Sequence, residues 1–483
     1  MRLFSHLCII WLTCVWWSAG CVEQAWQTGV SPESVGERTE TDDAHSGEDA
    51  GSRVDPPRWN LPPPADRMTP IVPAAWVTDM HRAPQNIHLG LEQSPDHSIV
   101  FTWATTDVDI GSYLPRAWIA PASAVVGEGD GARMPMAGSL VVEGSGVVYV
   151  EEMLGRESGE DLYAAWEVSV TGLEPDTEYV YRVGTWDEFD EDGWTFLRPN
   201  LSVAKRFRTA PSPGSRKRLD FVLAGDSRGG TAQIAANMET YLGVPARVWF
   251  FNGDMTDTGT QLEWDQWLET MRPLMETRPF MPVRGNHEYD EHLFYTQFAM
   301  PRHLDLPEEL REHSWSLRYG NVHFVGLDSN WSVTAQQMVP WLDADLAAAR
   351  ADPEVDWIVV MSHHPPYSSS MHGSTWWMQT VIVPTLEKHD VDLVFSGHDH
   401  SYERTHPIRE GAIVDEGEGV VYIVAGAFYS PPYVVKGDWF TAASADGYKA
   451  NFLQLTVEGN SLKVVAFSGD GTEVLDTFTR TRP

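Results

Sequence analysis

With 483 residues, 42% of them hydrophobic and 21 of them tryptophan, the chain is long enough for two or three domains and apolar enough to build sizeable cores. Its formal net charge of −35 at pH 7 argues against nucleic-acid backbones or anionic membranes as electrostatic partners. The same charge is awkward for an enzyme of anionic substrates unless metal ions dominate the local field.

The first element is an export signal over residues 1–20. Arg2 precedes an apolar stretch from Leu3 to Trp17, and Ser18-Ala19-Gly20-Cys21 follows. That stretch is shorter than the roughly twenty residues a bilayer span needs. The segment resembles a lipoprotein signal, in which Cys21 is acylated and becomes the first mature residue. Ser18 stands where a large aliphatic residue is usual, and ordinary cleavage after Gly20 is the alternative. Either outcome places the protein outside the cytoplasm, as a cell-envelope lipoprotein or as a periplasmic or secreted protein, with a membrane contact only through a lipid on Cys21. Cys8, Cys14 and Cys21 are the only cysteines, so no disulfide pair supports the mature domains. The scarcity of lysine fits a secreted or salt-exposed surface, and a coding bias explains it equally well.

Residues 21–83 are rich in Glu, Asp, Ser, Gly and Pro and end in Leu61-Pro62-Pro63-Pro64. Such a stretch buries too little apolar surface to offset its ordering entropy, which predicts a disordered tether stiffened by proline.

Residues 84–211 read as an all-β sandwich. Ile99-Val100-Phe101-Thr102-Trp103 and Trp166-Glu167-Val168-Ser169-Val170 alternate like half-buried strands. The turn Thr171-Gly172-Leu173-Glu174-Pro175-Asp176 feeds Tyr179-Val180-Tyr181, which resembles the corner before the sixth strand of fibronectin type III domains. Trp103 would then fill the core from the opposing sheet, and Lys205-Arg206-Phe207-Arg208 would close the domain. The acidic segment from Asp187 to Gly193 tempts a calcium-loop reading. Pro199 stands where an EF-hand needs its bidentate Glu, so a solvated hairpin tip is the expectation.

From Leu219 to the C-terminus, strands alternate with helical patterns such as Gln337 to Leu346, the signature of an α/β domain. Five apolar runs in it each end in Asp, Asn or His. Phe221-Val222-Leu223-Ala224 leads to Gly225-Asp226, and Val248-Trp249-Phe250-Phe251 leads to Gly253-Asp254. Phe280-Met281-Pro282-Val283 leads to Gly285-Asn286-His287. Trp357 to Met361 leads to His363-His364, and Leu393-Val394-Phe395 leads to Gly397-His398-Asp399-His400. Short apolar runs bounded by Gly or polar turns read as buried strands. Ligands just past their ends would converge along one edge of a sheet, where α/β folds bind ligands. Val420 to Val424 and Phe452 to Val457 read as further strands completing a second sheet.

These ordered motifs resemble those of calcineurin-like metallophosphoesterases. The extension Ser401-Tyr402-Glu403-Arg404 and the sandwich ahead of them point to the purple acid phosphatase-like branch, which implies a phosphoesterase domain with a two-sheet β-sandwich core flanked by helices. The resemblance implies that Asp254 bridges two metal ions, that Asp226 and His400 bind the first, and that Asn286, His363 and His398 bind the second. Mixed oxygen and nitrogen donors suit divalent or trivalent Fe, Mn or Zn. His287 is then the candidate for protonating the leaving group or holding the phosphate, and His372 corresponds to a second active-site histidine. His364 reads as structural, and His323 as a core or surface residue.

Two positions depart from the family pattern. Asp257 stands where purple acid phosphatases carry a metal-binding tyrosine, and Arg228 where other metallophosphoesterases carry a histidine. The first metal therefore lacks one usual ligand unless Asp257 or water supplies it, and a metallated protein is expected to be colourless. Arg228 either contacts substrate phosphate, whose oxygens its fork matches, or serves as an ion-pair partner. Two cations would lower the pKa of a bridging water and neutralise charge on the phosphoryl oxygens. The expected activity is extracytoplasmic hydrolysis of small phosphate monoesters. A phosphodiesterase or nucleotide pyrophosphatase is the alternative within the class, and a catalytically silent surface-binding protein is the alternative outside it. Selectivity is expected from loops around Trp264, Trp376-Trp377 and Phe428-Tyr429, whose aromatics either line a pocket or simply pack.

Overall fold

Why five apolar runs should end near one another is answered by two facing sheets. The structure is a computed structural model, describing Val77 and residues 79–482 except 107–110, 136–137, 151–161, 187, 190–195, 198, 290 and 446–448. The export signal, Cys21, most of the tether and the acidic tip at 190–195 lie outside the described residues.

The sandwich comprises a four-stranded sheet, in the order Gln85–Gly90, Ser98–Thr105, Leu162–Thr171 and Ser145–Val150, facing a second sheet. The second is built around Glu178–Thr185, which pairs with Arg116–Pro121 on one side and with Asn200–Leu201 and Lys205–Arg208 on the other. Trp103 is buried in the first sheet, opposite the Tyr179-Val180-Tyr181 strand. The Tyr179 hydroxyl accepts the Glu174 N–H at 2.9 Å, the tyrosine-corner bond that pins the preceding turn. Glu188–Phe189 pairs antiparallel with Phe196–Leu197.

In the α/β domain the five runs divide between two sheets, not one. Leu219–Ala224, Trp249–Phe251 and Phe280–Pro282 run parallel in a six-stranded sheet. Trp357–Ser362 and Leu393–Ser396 run parallel in a seven-stranded sheet beside Val322–Leu327. The C-terminal strands also divide. Val421–Ala425 joins Leu393–Ser396, whereas Asn451–Glu458 pairs antiparallel with Leu219–Ala224. A run of apolar residues signals a buried strand but carries no mark of the sheet it joins, since that depends on pairings distant in sequence.

Aromatic rings hold the two sheets face to face. Phe250 stacks on Phe324 with centroids 4.4 Å apart, and Phe221 meets Phe324 edge-on at 4.9 Å. The period-2 alternation of a strand sends Val359, Met361 and Phe395 into this core. It sends Val325, Ile358, Val360 and Val394 to the other face, against Met338, Leu342 and Leu346 of the helix Ser332–Ala351. The same inter-sheet core continues into the sandwich through Phe101, Tyr181 and Phe207. Polar bonds tie that junction: Tyr181 Oη donates to the Glu276 carbonyl at 2.8 Å, Asn86 Nδ2 donates to Asp265 at 2.8 Å, and Lys205 pairs with Glu276. The parallel strands of both sheets thus end at a common rim, on a base that the sandwich braces.

Candidate metal centre

The loops that leave these strands turn sharply. Asp226, Arg228, Asp254 and His398 all adopt positive φ, at 59°, 43°, 53° and 66°. L-residues enter that region at a cost of about 1–2 kcal/mol each, and such strain concentrates where function holds a side chain in place. The glycines of the motifs allow close approach. A Cβ on Gly285 would lie 2.2 Å from Asp254 Oδ1, and one on Gly397 would lie 2.1 Å from Asp226 Oδ2.

Two donor groups result. Asp226, Asp254 and His400 form one, and His363, His364 and His398 the other, each with donor atoms within 4.8 Å of one another. Asp254 joins them: its Oδ1 lies 3.3 Å from His363 Nε2. Asn286 Oδ1 lies 2.9 Å from both His363 Nε2 and His398 Nδ1. His364 also falls within the second group, and its Nδ1 and backbone N–H meet the Ser329 hydroxyl at 3.1 and 2.9 Å, in keeping with a structural role. His323 is a structural residue, bonded to Asp345 at 2.7 Å.

The protons on these imidazoles can be assigned from their partners. His363 Nδ1 faces the Asn252 carbonyl at 2.8 Å, and His400 Nδ1 faces the Pro431 carbonyl at 3.0 Å. A carbonyl only accepts, so Nδ1 carries the proton and a neutral ring presents an Nε2 lone pair. Burial keeps the rings neutral: it lowers the pKa of His363, holds those of His364 and His398 well below the usual imidazole range, and lowers that of His400 to about 4. These lone pairs face carboxylate oxygens, His363 that of Asp254 and His400 that of Asp226 at 3.7 Å. Burial, reinforced by the neighbouring Asp254, raises the Asp226 pKa well above the ordinary range, and Asp226 Oδ2 has no hydrogen-bond partner. Converging lone pairs and buried carboxylates are mutually repulsive without positive charge among them. The residues fit cations of the transition-metal kind.

Around this centre stand residues that carry no donor to it. Glu288, fully buried, accepts the N–H groups of Asp254 at 2.9 Å, Met255 at 2.7 Å, Thr256 at 3.2 Å and Gly285 at 2.8 Å. It welds the Asp254 loop to the Asn286 loop. Burial and the charge of Asp254 push its pKa up to about 7. Asp399 accepts the N–H groups of His372 at 2.7 Å and Gly373 at 3.0 Å, which sets the His372 ring 4.5 Å from that of His398. Glu403 holds the same loop through Ser369, at 2.7 Å from both its N–H and its hydroxyl. Tyr433 stacks on His400 at 4.3 Å. Glu288, Asp399 and Glu403 lie inside the motifs, but spacing alone gave no sign of whether a carboxylate there accepts backbone N–H groups or binds metal.

The two family matches fall on the two halves of this architecture. The family described as purple acid phosphatase, N-terminal domain, matches residues 84–209, and calcineurin-like phosphoesterase matches residues 219–402. The chain belongs to the purple acid phosphatase-like metallophosphoesterases. Purple acid phosphatase 18 of Arabidopsis thaliana is 26% identical over 367 residues, covering 73% of this chain and 72% of the relative. A Mycobacterium tuberculosis protein described as uncharacterized is 28% identical over 403 residues, covering 70% of this chain and 68% of its own. The solved purple acid phosphatase PPD1 of yellow lupin seeds superposes with a TM-score of 0.67 at 19% identity, over 83% of this chain and 75% of that one, which establishes a shared fold.

The two positions that depart from the family patterns prove to be partners. Arg228 Nε donates to Asp257 Oδ1 at 2.8 Å. The Asp257 carbonyl in turn accepts His287 Nδ1–H at 2.7 Å. Asp257 therefore directs its carboxylate to Arg228 and its backbone to His287. Of the aromatic residues expected to shape selectivity, Trp264 and Phe428 are buried in the core, and Tyr429 bonds to Tyr241 and Asn237. Only Trp376 is exposed, with Trp377 beneath it, donating to the Ser329 carbonyl at 3.3 Å.

Proposed function

We propose that this metallophosphoesterase hydrolyses phosphate monoesters outside the cytoplasm. The observation that carries this reading is the position of Asp254, whose carboxylate belongs to one donor group and reaches the other through His363 at 3.3 Å. Asp226, Asp254 and His400 would hold one Fe, Mn or Zn ion, and Asp254, Asn286, His363 and His398, with His364 beside them, would hold the second. When bound, such ions act as Lewis acids on a phosphoryl oxygen and lower the pKa of water.

The protein's own groups supply the rest. Asn252 and Pro431 fix the tautomers of His363 and His400 through their carbonyls, so both rings are set as donors before any ligand arrives. His287 gives its Nδ1 proton to the Asp257 carbonyl, leaving Nε2, 3.9 Å from Asp254 Oδ2, to exchange a proton with the leaving oxygen. Arg228, one edge held by Asp257, offers its remaining N–H groups to phosphoryl oxygens. His372, fixed by Asp399, stands over His398 as a further contact for the phosphoryl group.

The sequence ahead of Cys21 supports export, and no described helix is long and apolar enough to cross a membrane. Globomycin-sensitive processing in the native host would identify acylation of Cys21; insensitive processing counts against it. The activity is tested with 4-nitrophenyl phosphate and bis(4-nitrophenyl) phosphate after loading with Mn, Zn or Fe. Turnover of the monoester, lost in Asp254→Asn, supports the reading. Preference for the diester turns it toward a phosphodiesterase. Inertness to both, with metal bound, favours a binding protein.

A further inference from the structure

Three segments that reach the centre carry four large exposed apolar side chains. Tyr289, Trp331, Met371 and Trp376 are 63%, 50%, 66% and 53% exposed, and none belongs to a core cluster. Each is tied to a residue already described. The Tyr289 ring meets that of His287 edge-on at 5.7 Å. Met371 precedes His372, whose ring lies 4.5 Å from that of His398. Trp376 packs edge-on against Trp377 at 6.1 Å, and Trp377 lies 5.5 Å from His364. Trp331 follows two residues after Ser329, whose hydroxyl meets His364 at 3.1 Å and whose carbonyl accepts the Trp377 indole N–H.

Single exposed apolar residues on a protein surface are ordinary. Four of them, from three segments that also carry or contact the histidines of one polar centre, have the composition of a ligand site: apolar walls around a few convergent polar groups. The chain carries a net charge of −35 and could have rimmed the centre with carboxylates. It uses a tyrosine, two tryptophans and a methionine instead. An aromatic ring or an alkyl chain covers a rim of that kind and releases water.

We propose that these four side chains form the leaving-group subsite, and that the preferred substrates are phosphate esters of aromatic or other bulky apolar alcohols. The proposal rests on the phosphatase reading and names the substrate class for it. The phosphoryl end faces Arg228, His287 and His372, and the apolar end lies along Trp331 and Trp376.

The test separates the subsite from leaving-group reactivity by using two primary-alkyl esters, 3-phenylpropyl phosphate and ethyl phosphate, on the metal-loaded full chain. The expected kcat/KM ratio favours the phenylpropyl ester by about thirtyfold, and the Trp331→Ala/Trp376→Ala double variant lowers that ratio about tenfold. A ratio near one in the parent protein, or a ratio unchanged in the double variant, overturns the proposal. Calorimetry with 3-phenylpropylphosphonate and ethylphosphonate distinguishes the two levels of the argument. Tighter binding of the phenylpropyl compound with no hydrolysis of either ester keeps the subsite and refutes the phosphatase reading. Equal binding, or none, refutes the subsite whatever the enzyme hydrolyses.

Discussion

Glu288→Gln is the substitution whose outcome the geometry fixes most tightly. The carboxylate accepts Met255 N–H and Thr256 N–H at Oε1, and Asp254 N–H and Gly285 N–H at Oε2. Glutamine has one acceptor end and one donor end. Whichever way the amide is turned, its NH2 group faces two buried backbone N–H groups. Each unsatisfied buried donor costs about 1–3 kcal/mol, so two cost about 2–6 kcal/mol. Removing a charge that burial and Asp254 disfavour returns part of this, leaving a net loss of about 2–4 kcal/mol. That is a large share of the 5–15 kcal/mol by which domains are typically stable. Because the lost bonds join the Asp254 loop to the Asn286 loop, metal affinity should fall along with stability. Urea unfolding of the metal-free protein measures the first, and elemental analysis after equilibration with Mn or Zn measures the second. A variant within about 0.5 kcal/mol of the parent and with its full metal content would refute the argument that Glu288 organises the centre.

Asp328 offers a pH test away from the proposed metal ligands. Burial pushes its pKa up, but the His313 bond and the Arg284 guanidinium, 3.0 Å away, outweigh that and hold it below the ordinary 3.8. A depressed carboxylate contributes stability that is present above 3.8 and is lost as the pH falls through its folded value. Asp328→Ala should therefore cost about 3–5 kcal/mol at about pH 5, shrinking below about pH 4, in denaturant titrations across pH. A cost that grew as the pH fell below about 4 would have the wrong sign. Phe324→Ala, which empties the contact between the two sheets, should cost about 3–5 kcal/mol in the same assay, and a loss below 1 kcal/mol would deny it a core role. Asp257→Ala releases Arg228 from a half-exposed pair and should raise KM for a monoester about two- to fivefold with metal content unchanged; an unaltered KM would place Arg228 away from the substrate.

The donors of the centre were legible because metal chemistry restricts residue types and strand ends restrict their places. Gly225-Asp226, Gly253-Asp254, Gly285-Asn286-His287, His363 and Gly397-His398-Asp399-His400 could be read directly, as could the tyrosine corner at Tyr179. A two-sheet core was expected, but which sheet each of the five strands joins was not legible, because pairing is settled by partners distant in sequence, such as Asn451–Glu458 against Leu219–Ala224. Trp264 and Phe428 took the packing alternative, since aromatic residues suit a pocket and a core equally and the sequence does not choose between them. The adjacency of His364 to His363 did not show that both rings lie against His398. An ion-pair role for Arg228 was among the expectations, but its partner was not legible, because the bond to Asp257 spans 29 positions.

The central claim is a two-metal centre that survives those two replacements. It is tested most directly by the metal content of the mature chain, purified without chelators and equilibrated with Mn, Zn or Fe, beside Asp254→Asn as control. Two transition-metal ions per chain, falling to one or none in Asp254→Asn, is the predicted result. One ion or none in the parent protein under every loading condition would contradict it, and would mean that pairing Arg228 with Asp257 closed the first position rather than leaving it open.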